Sequence, residues 1–284
     1  MIPGKFEYFA PTSLEEALRL LSAYPEDAKL LAGGQSLLSI LKLRLANPAY
    51  LIDLGRIPGL SYIREAGRDR IAIGALTTYA EMKESELLRS QCPLLPQTTA
   101  VVGDVQVRNR GTLGGSLAHA DPAGDLPAAI LALRAELKAV SPKGERWIQA
   151  KDFFLGMMTT ALSSDEILTE IRVPVLSGWK SAYLKAARRP SDFAVAGVAV
   201  CLKVDQNQVC EDISIGVTGV TDKPYLAEAV EIKLKGKKLE PKVIEDAASA
   251  VTQDVYVMGN IHGSQDYRSH LARVYTLRAI QSAR

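Results

Sequence analysis

Two stretches of bare backbone carry the first hint of chemistry in this chain: "AGGQS" at residues 32–36 and "TLGGS" at residues 112–116. Each is a glycine pair closed by a serine. Lacking a Cβ, glycine turns tightly and lets another group come close to its N–H donors. The first stretch ends the buried-strand run "AKLLAGG" and opens a helical pattern, so N–H groups near Gly34, Gln35 and Ser36 should point free. Free backbone donors at a helix start form an anion site. The second stretch would offer a similar cradle. Two phosphate-sized cradles suit a pyrophosphate and therefore a dinucleotide, whereas either loop alone reads as an ordinary glycine turn.

Other nucleotide and hydrolytic signatures are missing. There is no G-x-G-x-x-G of a Rossmann site and no G-x-x-x-x-G-K-[ST]. Neither H-E-x-x-H nor a G-x-S-x-G elbow occurs. Cys92, Cys201 and Cys210 form no C-x-x-C pair, and His119, His262 and His270 are scattered, so no zinc or iron–sulfur site is expected. Redox chemistry would need an organic cofactor or another subunit. The sparse thiols suit a reducing cytoplasm.

The 34 basic and 32 acidic residues are interspersed and leave a net charge of +2, without the basic stripe a nucleic-acid binder needs. At 47% hydrophobic and 23% charged residues the composition is globular. No apolar run spans a bilayer, and the start "MIPGKFEYFA" does not read as a signal peptide. A length of 284 residues favours two domains or one with subdomains.

Several elements must position the glycine loops. Ser13 and Glu16 predict a capping box ahead of a helix with Leu14, Ala17, Leu18 and Leu21 on one face. "SLLSILKLRLA" predicts a second helix running to Asn47–Pro48, and "AYLIDL" a strand, which together with "AKLL" make a small parallel unit. Two strands around Gly67 follow, then a helical stretch from Tyr79 broken at Pro93. A helix is expected from Leu126, a hairpin around Pro142–Gly144, and a closing strand in "DEILTEIRVPV". A boundary is expected near residues 174–181. Beyond it, alternating strands "FAVAGVAVCLKVD" and "VCEDISIGVTGV" and two closing helices predict a compact α+β domain.

Taken in order, "MIPGKFEYFAPTSLEEAL", "LLAGGQSLLSILKLRLANPAYLIDL", "IGALTTYAEM", "VQVRNRGTLGGSLAHADPAGDLPAAILAL", "EILTEIRVP" and "YRSHLARVYTLRAI" resemble the medium, FAD-binding subunit of the molybdenum hydroxylases. That group contains aerobic carbon monoxide dehydrogenase and xanthine dehydrogenase, and the likeness is to the former type. The resemblance implies an α+β architecture. A two-subdomain FAD-binding domain of the vanillyl-alcohol-oxidase (PCMH) type occupies residues 1–175, divided into about 1–55 and 56–175. A smaller C-terminal α+β domain, of the carbon monoxide dehydrogenase flavoprotein type, occupies residues 176–284.

It also implies that both glycine loops grip the FAD pyrophosphate. That assigns cofactor binding to Leu31, Ala32, Gly33, Gly34, Gln35, Ser36, Leu37 and Leu38, and to Thr112, Leu113, Gly114, Gly115 and Ser116. Side chains at the four glycines would hold the backbone off the phosphates. Val102 matches a position against the cofactor. Asp125 matches an aspartate near the FAD, suited to a ribose or ribityl hydroxyl, and equally reads as a helix N-cap. Asn109 and Arg110 would orient the second loop, and His119 and Asp121 would shape the pocket. Ile167 and Leu168 match a backbone contact to the flavin edge. Lys185 matches a lysine near the ring that would stabilise added negative charge, with a surface cation as the alternative. Where carbon monoxide dehydrogenase-like relatives place a tyrosine over the flavin, this chain has Phe193, which keeps stacking and loses the hydroxyl.

By the same resemblance the chain is an electron-transfer subunit with no catalytic acid or base of its own. A large partner subunit would carry the molybdopterin cofactor and a small one two [2Fe–2S] clusters, assembled as a dimer of heterotrimers. Two other readings compete: a self-sufficient FAD oxidase of the vanillyl-alcohol-oxidase class, and an assembly protein that has lost the cofactor.

Overall fold

The structure, a computed structural model, describes residues 2–284. Strand β1 (Glu7–Phe9), helix α1 (Leu14–Ala23), strand β2 (Ala28–Leu31), helix α2 (Leu37–Lys42) and strand β3 (Tyr50–Asp53) form the first unit. Its three strands are parallel, in the order β1-β3-β2. Ala17, Leu18 and Leu21 of α1 bury against Ile52, the apolar face expected from their spacing. Ser13 caps α1 by accepting from Glu16 N–H at 3.1 Å, but the Glu16 carboxylate returns to the Thr12 N–H at 3.0 Å, one residue earlier than a capping box requires. Strand β1 was not legible in the sequence, being three residues long and mostly exposed.

Helix α2 stops at Lys42, well short of Asn47–Pro48. Arg44 turns left-handed at φ 57°, its N–H reaches Leu41 O at 3.0 Å, and Leu45 N–H reaches Ile40 O at 3.0 Å. These two bonds are a Schellman closure, here without the usual glycine. Leu43 and Leu45, which extend the apolar pattern in sequence, are exposed.

The second unit contains strands β4 (Ile63–Glu65) and β5 (Arg70–Gly74), then helices α3 (Tyr79–Glu84), α4 (Glu86–Gln91), α5 (Leu94–Ala100), α6 (Val105–Arg110), α7 (Leu113–His119) and α8 (Asp125–Ala132). Strands β6 (Glu136–Ser141) and β7 (Gly144–Gln149), helix α9 (Ala150–Phe153), strands β8 (Phe154–Gly156) and β9 (Thr159–Thr160), and strand β10 (Ile167–Pro174) complete it. Its main sheet is antiparallel, ordered β4-β5-β10-β6-β7, so the expected closing strand is central. The helical run from Tyr79 breaks at Ser85 as well as Pro93, because Ser85 is extended and its side chain caps α4 at Leu88 N–H.

Strands β11 (Lys180–Ala186), β12 (Ala196–Val204), β13 (Cys210–Thr218) and β14 (Tyr225–Leu226) form an antiparallel sheet. Helices α10 (Glu228–Leu234), α11 (Pro241–Ala248) and α12 (Gln265–Ser282) follow, α10 being unforeseen. The other face of this sheet meets α8, all eight residues of which are buried. A helix apolar all round belongs between two layers. At Gly216 the approach is backbone to backbone, since a Cβ there would lie 2.9 Å from the Ala128 carbonyl carbon. The architecture is therefore a two-subdomain α+β domain followed by a smaller α+β domain. No described helix is long and apolar enough to cross a membrane.

Candidate functional site

The two glycine loops touch. A Cβ on Gly33 would run into the Arg110 carbonyl and lie 3.0 Å from Gly111 Cα. A Cβ on Gly115 would lie 3.4 Å from the Ala32 Cβ and 2.6 Å from Thr112 Oγ1. Loops 80 positions apart in sequence (32 and 112) thus form one continuous surface.

They are not equivalent. Among the described residues, no acceptor takes the N–H groups of Gly33, Gly34, Gln35 or Ser36, and Gly34 adopts φ +75°. This cluster of unspent donors is what an anionic group needs. Helix α2 has only six residues and its N-cap Ser36 makes no side-chain cap, so the amides themselves, rather than a long helix dipole, supply the positive potential. In the second loop the donors from Leu113 to Ser116 are already used. Gly111 N–H bonds to Val107 O at 2.7 Å, Leu113 N–H to Thr77 O at 2.9 Å, and Gly114 N–H to Ala75 O at 2.8 Å. Gly115 N–H bonds to Thr112 Oγ1 at 3.2 Å and Ser116 N–H to Thr112 O at 3.0 Å. The two loops therefore differ in the donors they leave free: four in the first, the Thr112 N–H in the second, whose other amides are taken within a closely packed wall.

The glycines also let neighbouring chain segments come close. Gly33 faces the backbone before α7, and a Cβ on Gly114 would lie 2.5 Å from Ala75 Cβ, so both glycines allow chain segments to meet. Gly111 likewise makes room for the Tyr79 ring. Burial pushes the Tyr79 hydroxyl up to about 12, against the pull of its contact with Ser116. The sequence carried no local signal for Tyr79.

Ala75 links this wall to the closing strand, because its N–H bonds to Thr169 O at 2.9 Å. A register shift between Leu168 and Glu170 leaves Thr169 outside the β10–β6 pairing. Leu168 and Ile167 are buried, in two different clusters of the core. Val102 is half-buried before α6, and Arg108 Nη1 holds its carbonyl at 3.0 Å. Leu31, Ala32 and Leu37 are half-buried beside the first loop, and Leu38 is exposed at 39%. Asn109 and Arg110 are exposed at the end of α6, and the Arg110 carbonyl forms the contact with Gly33. His119 is half-buried at the end of α7, and Asp121 Oδ1 accepts from Ala123 N–H at 2.8 Å.

A second group lies at the start of α8. Asp125 is not the N-cap: Gly124 is, and Asp125 is the first helical residue with its side chain buried. Its Oδ1 accepts from Tyr183 Oη at 2.5 Å and its Oδ2 from Lys185 Nζ at 3.1 Å. Burial pushes the Asp125 carboxyl above the ordinary range, opposed by Lys185 and Tyr183. Each carboxylate oxygen keeps a lone pair, through which a sugar hydroxyl would still bond. Lys185, whose side chain is 6% exposed, is no surface cation, and its charge is compensated by Asp125. Its Nζ also donates to Asp192 O at 3.0 Å, beside Phe193, whose side chain is 61% exposed. Tyr183 was missed, although strand alternation puts it on the same face of β11 as Lys185.

The site is thus a donor-rich glycine turn against a second loop, extended by buried polar groups toward an exposed aromatic ring. The arrangement fits a flavin dinucleotide. The family model for the FAD binding domain in molybdopterin dehydrogenase matches residues 4–176, and that for the CO dehydrogenase flavoprotein C-terminal domain matches residues 181–283. The chain belongs to this family of FAD-binding molybdopterin dehydrogenase subunits and is a flavoprotein of the oxidoreductase class. It is 40% identical over 281 residues to the glyceraldehyde dehydrogenase medium chain of Sulfolobus acidocaldarius, covering 99% of each chain. It is 40% identical to the carbon monoxide dehydrogenase medium chain of Hydrogenophaga pseudoflava, covering 100% of this chain and 98% of the relative. The solved carbon monoxide dehydrogenase from that organism, in a form lacking the Mo-pyranopterin moiety of its molybdenum cofactor, superposes with a TM-score of 0.97 over 100% of this chain and 98% of the other.

Proposed function

We propose that the chain is the electron-transfer subunit of a molybdenum hydroxylase complex. The chain would hold FAD, which when bound would supply the redox chemistry to pass electrons from the [2Fe–2S] clusters of a small partner subunit to an external acceptor, substrate oxidation being left to molybdopterin in a large one. The contact between the two glycine loops, with the unspent donors of the first, carries this reading.

The Gly33–Ser36 amides would hold the pyrophosphate oxygens, with Leu31, Ala32, Leu37 and Leu38 shaping the turn. Thr112, Leu113, Gly114, Gly115 and Ser116 would form the opposing wall. Val102 and Leu168 would line the cleft, and Asp125 would accept a hydroxyl. Phe193 would cover the ring by stacking, and Lys185 would hold that aromatic's loop rather than act as a free charge. No proton-transfer residue is needed, because the chain positions the cofactor and shields it from water.

The reaction the complex performs is left to its partners: medium chains named for glyceraldehyde and for carbon monoxide dehydrogenases are each 40% identical to this one. Three free, buried thiols suit a reducing compartment, which supports a cytoplasmic complex; by likeness to the family, its assembly would be a dimer of heterotrimers.

The test is anaerobic mixing of the FAD-loaded chain with its reduced [2Fe–2S] partner, following bleaching of the visible flavin band. Rapid bleaching supports the proposal. Reduction by an organic substrate without any partner would establish a self-sufficient oxidase instead. A colourless chain that takes up no FAD would leave the assembly-protein reading.

A further inference from the structure

The loop between β11 and β12 carries Phe193 outward while its backbone is tied down. Lys185 Nζ holds Asp192 O at 3.0 Å, and Ala194 N–H meets Ala123 O at 3.3 Å. The third tie comes from the opposite end of the chain. Arg268, in the first turns of α12, donates through Nη1 to Val195 O at 3.2 Å and to Gly219 O.

Arg268 is 6% exposed, and among the described residues its hydrogen bonds go to backbone carbonyls, it pairs with no carboxylate, and its Nε has no acceptor. A buried guanidinium without an anion is a costly choice for packing alone. What it holds is the boundary of the site. Val195 follows Phe193 by two residues. Gly219 donates its N–H to Pro122 O at 2.7 Å, in the turn that leads to Asp125. Gly219 sits at φ +81°, and a Cβ there would lie 2.7 Å from Ala194 O and 2.9 Å from Val195 O, so the two segments are in backbone contact. Nη1 of the guanidinium fork by itself carries two N–H donors and serves both carbonyls at once, which an apolar side chain cannot.

We propose that Arg268 is a positioning residue for the flavin site: by clamping Val195 and Gly219 it fixes the direction in which Phe193 presents its ring. This rests on the reading that Phe193 stands beside the flavin. Arg268 touches neither cofactor nor reacting atoms and acts through the loop.

The test compares the FAD-loaded full chain with its Arg268→Met, Arg268→Lys, Phe193→Ala and Phe193→Ala/Arg268→Met variants. Three properties are read: trypsin cleavage after Arg188, the flavin absorption and fluorescence spectra, and the flavin midpoint potential. Expected for Arg268→Met is several-fold faster cleavage after Arg188 with other tryptic sites unchanged, and a spectral and potential shift in the direction of Phe193→Ala. The double variant should match Phe193→Ala alone, and Arg268→Lys should restore much of the wild-type behaviour. If Arg268→Met does not fold, Arg268→Lys, which keeps the charge but not the fork, carries the comparison by a smaller shift of the same sign. A flavin signal altered by Phe193→Ala but by neither Arg268 variant sinks the Arg268 proposal alone. A flavin signal that Phe193→Ala leaves untouched removes the placement of Phe193 beside the ring, and with it this inference.

Discussion

Gly33 lies so close to the carbonyl of Arg110 that no Cβ fits between them. The loop that offers donors and the segment that opens the second loop are therefore held in one relative position. Gly33→Ala should force them apart, costing about 2 kcal/mol as an overpacking change. Flavin content of the purified variant, measured as the ratio of visible to protein absorbance, should fall well below wild type. Gly156→Ala, where a Cβ would meet nothing nearer than Asp222 Oδ2 at 3.8 Å and the backbone is not left-handed, is the control and should keep full flavin content.

Cofactor removal tests the same contact from the ligand side. Binding to the folded state alone stabilises by about 2.7 kcal/mol at a hundredfold excess over Kd. Stripping FAD should thus lower Tm, and re-addition should restore it in the wild type. In Gly33→Ala, added FAD at the same concentration should raise Tm far less.

The buried pair of Asp125 and Lys185 makes a double-mutant cycle informative. Asp125→Ala leaves a buried ammonium without its partner and should destabilise the chain by about 3–5 kcal/mol, read by urea unfolding. Adding Lys185→Met should recover a large part of that loss, because the orphaned charge is gone. Additive losses would show that the two residues do not form a unit.

Glu166 gives a pH dependence of known sign. Arg146 donates to it from Nε at 2.6 Å and Nη2 at 2.8 Å, and holds its carboxyl below the ordinary carboxylate range. A folded-state pKa below the unfolded value, about 4.3, means the pair stabilises above that pH. The contribution is lost as pH falls through the lower folded value. Glu166→Gln should lower Tm at neutral pH and leave it nearly unchanged at the acid end, giving a flatter profile across the acidic range.

Much of the local structure was legible because it depends on neighbours in the chain. Ala17, Leu18 and Leu21 repeat at helical spacing, and the buried face they make is the one observed. The hairpin at Pro142–Gly144 follows from turn residues between alternating strands. Where the reading failed, a distant contact or a short-range closure intervened. The apolar pattern through Leu43 and Leu45 suggested a longer α2, but the chain closes at Arg44. Asp125 reads in sequence as a hydroxyl acceptor or a helix cap; in the fold Gly124 is the cap, and Tyr183 and Lys185, some sixty positions on, take the Asp125 oxygens.

The sequence by itself determined where the chain could bend without a Cβ, and which glycine turn follows a strand and opens a helix. It also carried the ordered stretches by which the FAD-binding family is recognised. Only the tertiary structure decided that Gly33 meets Arg110, that Thr77 and Ala75 take the Leu113 and Gly114 donors of the second loop, and that Lys185 is compensated. The reason is that every residue but proline carries the same backbone donor and acceptor. Which of them remains free for a ligand depends on what the folded chain brings within reach, and sequence spacing does not measure that distance.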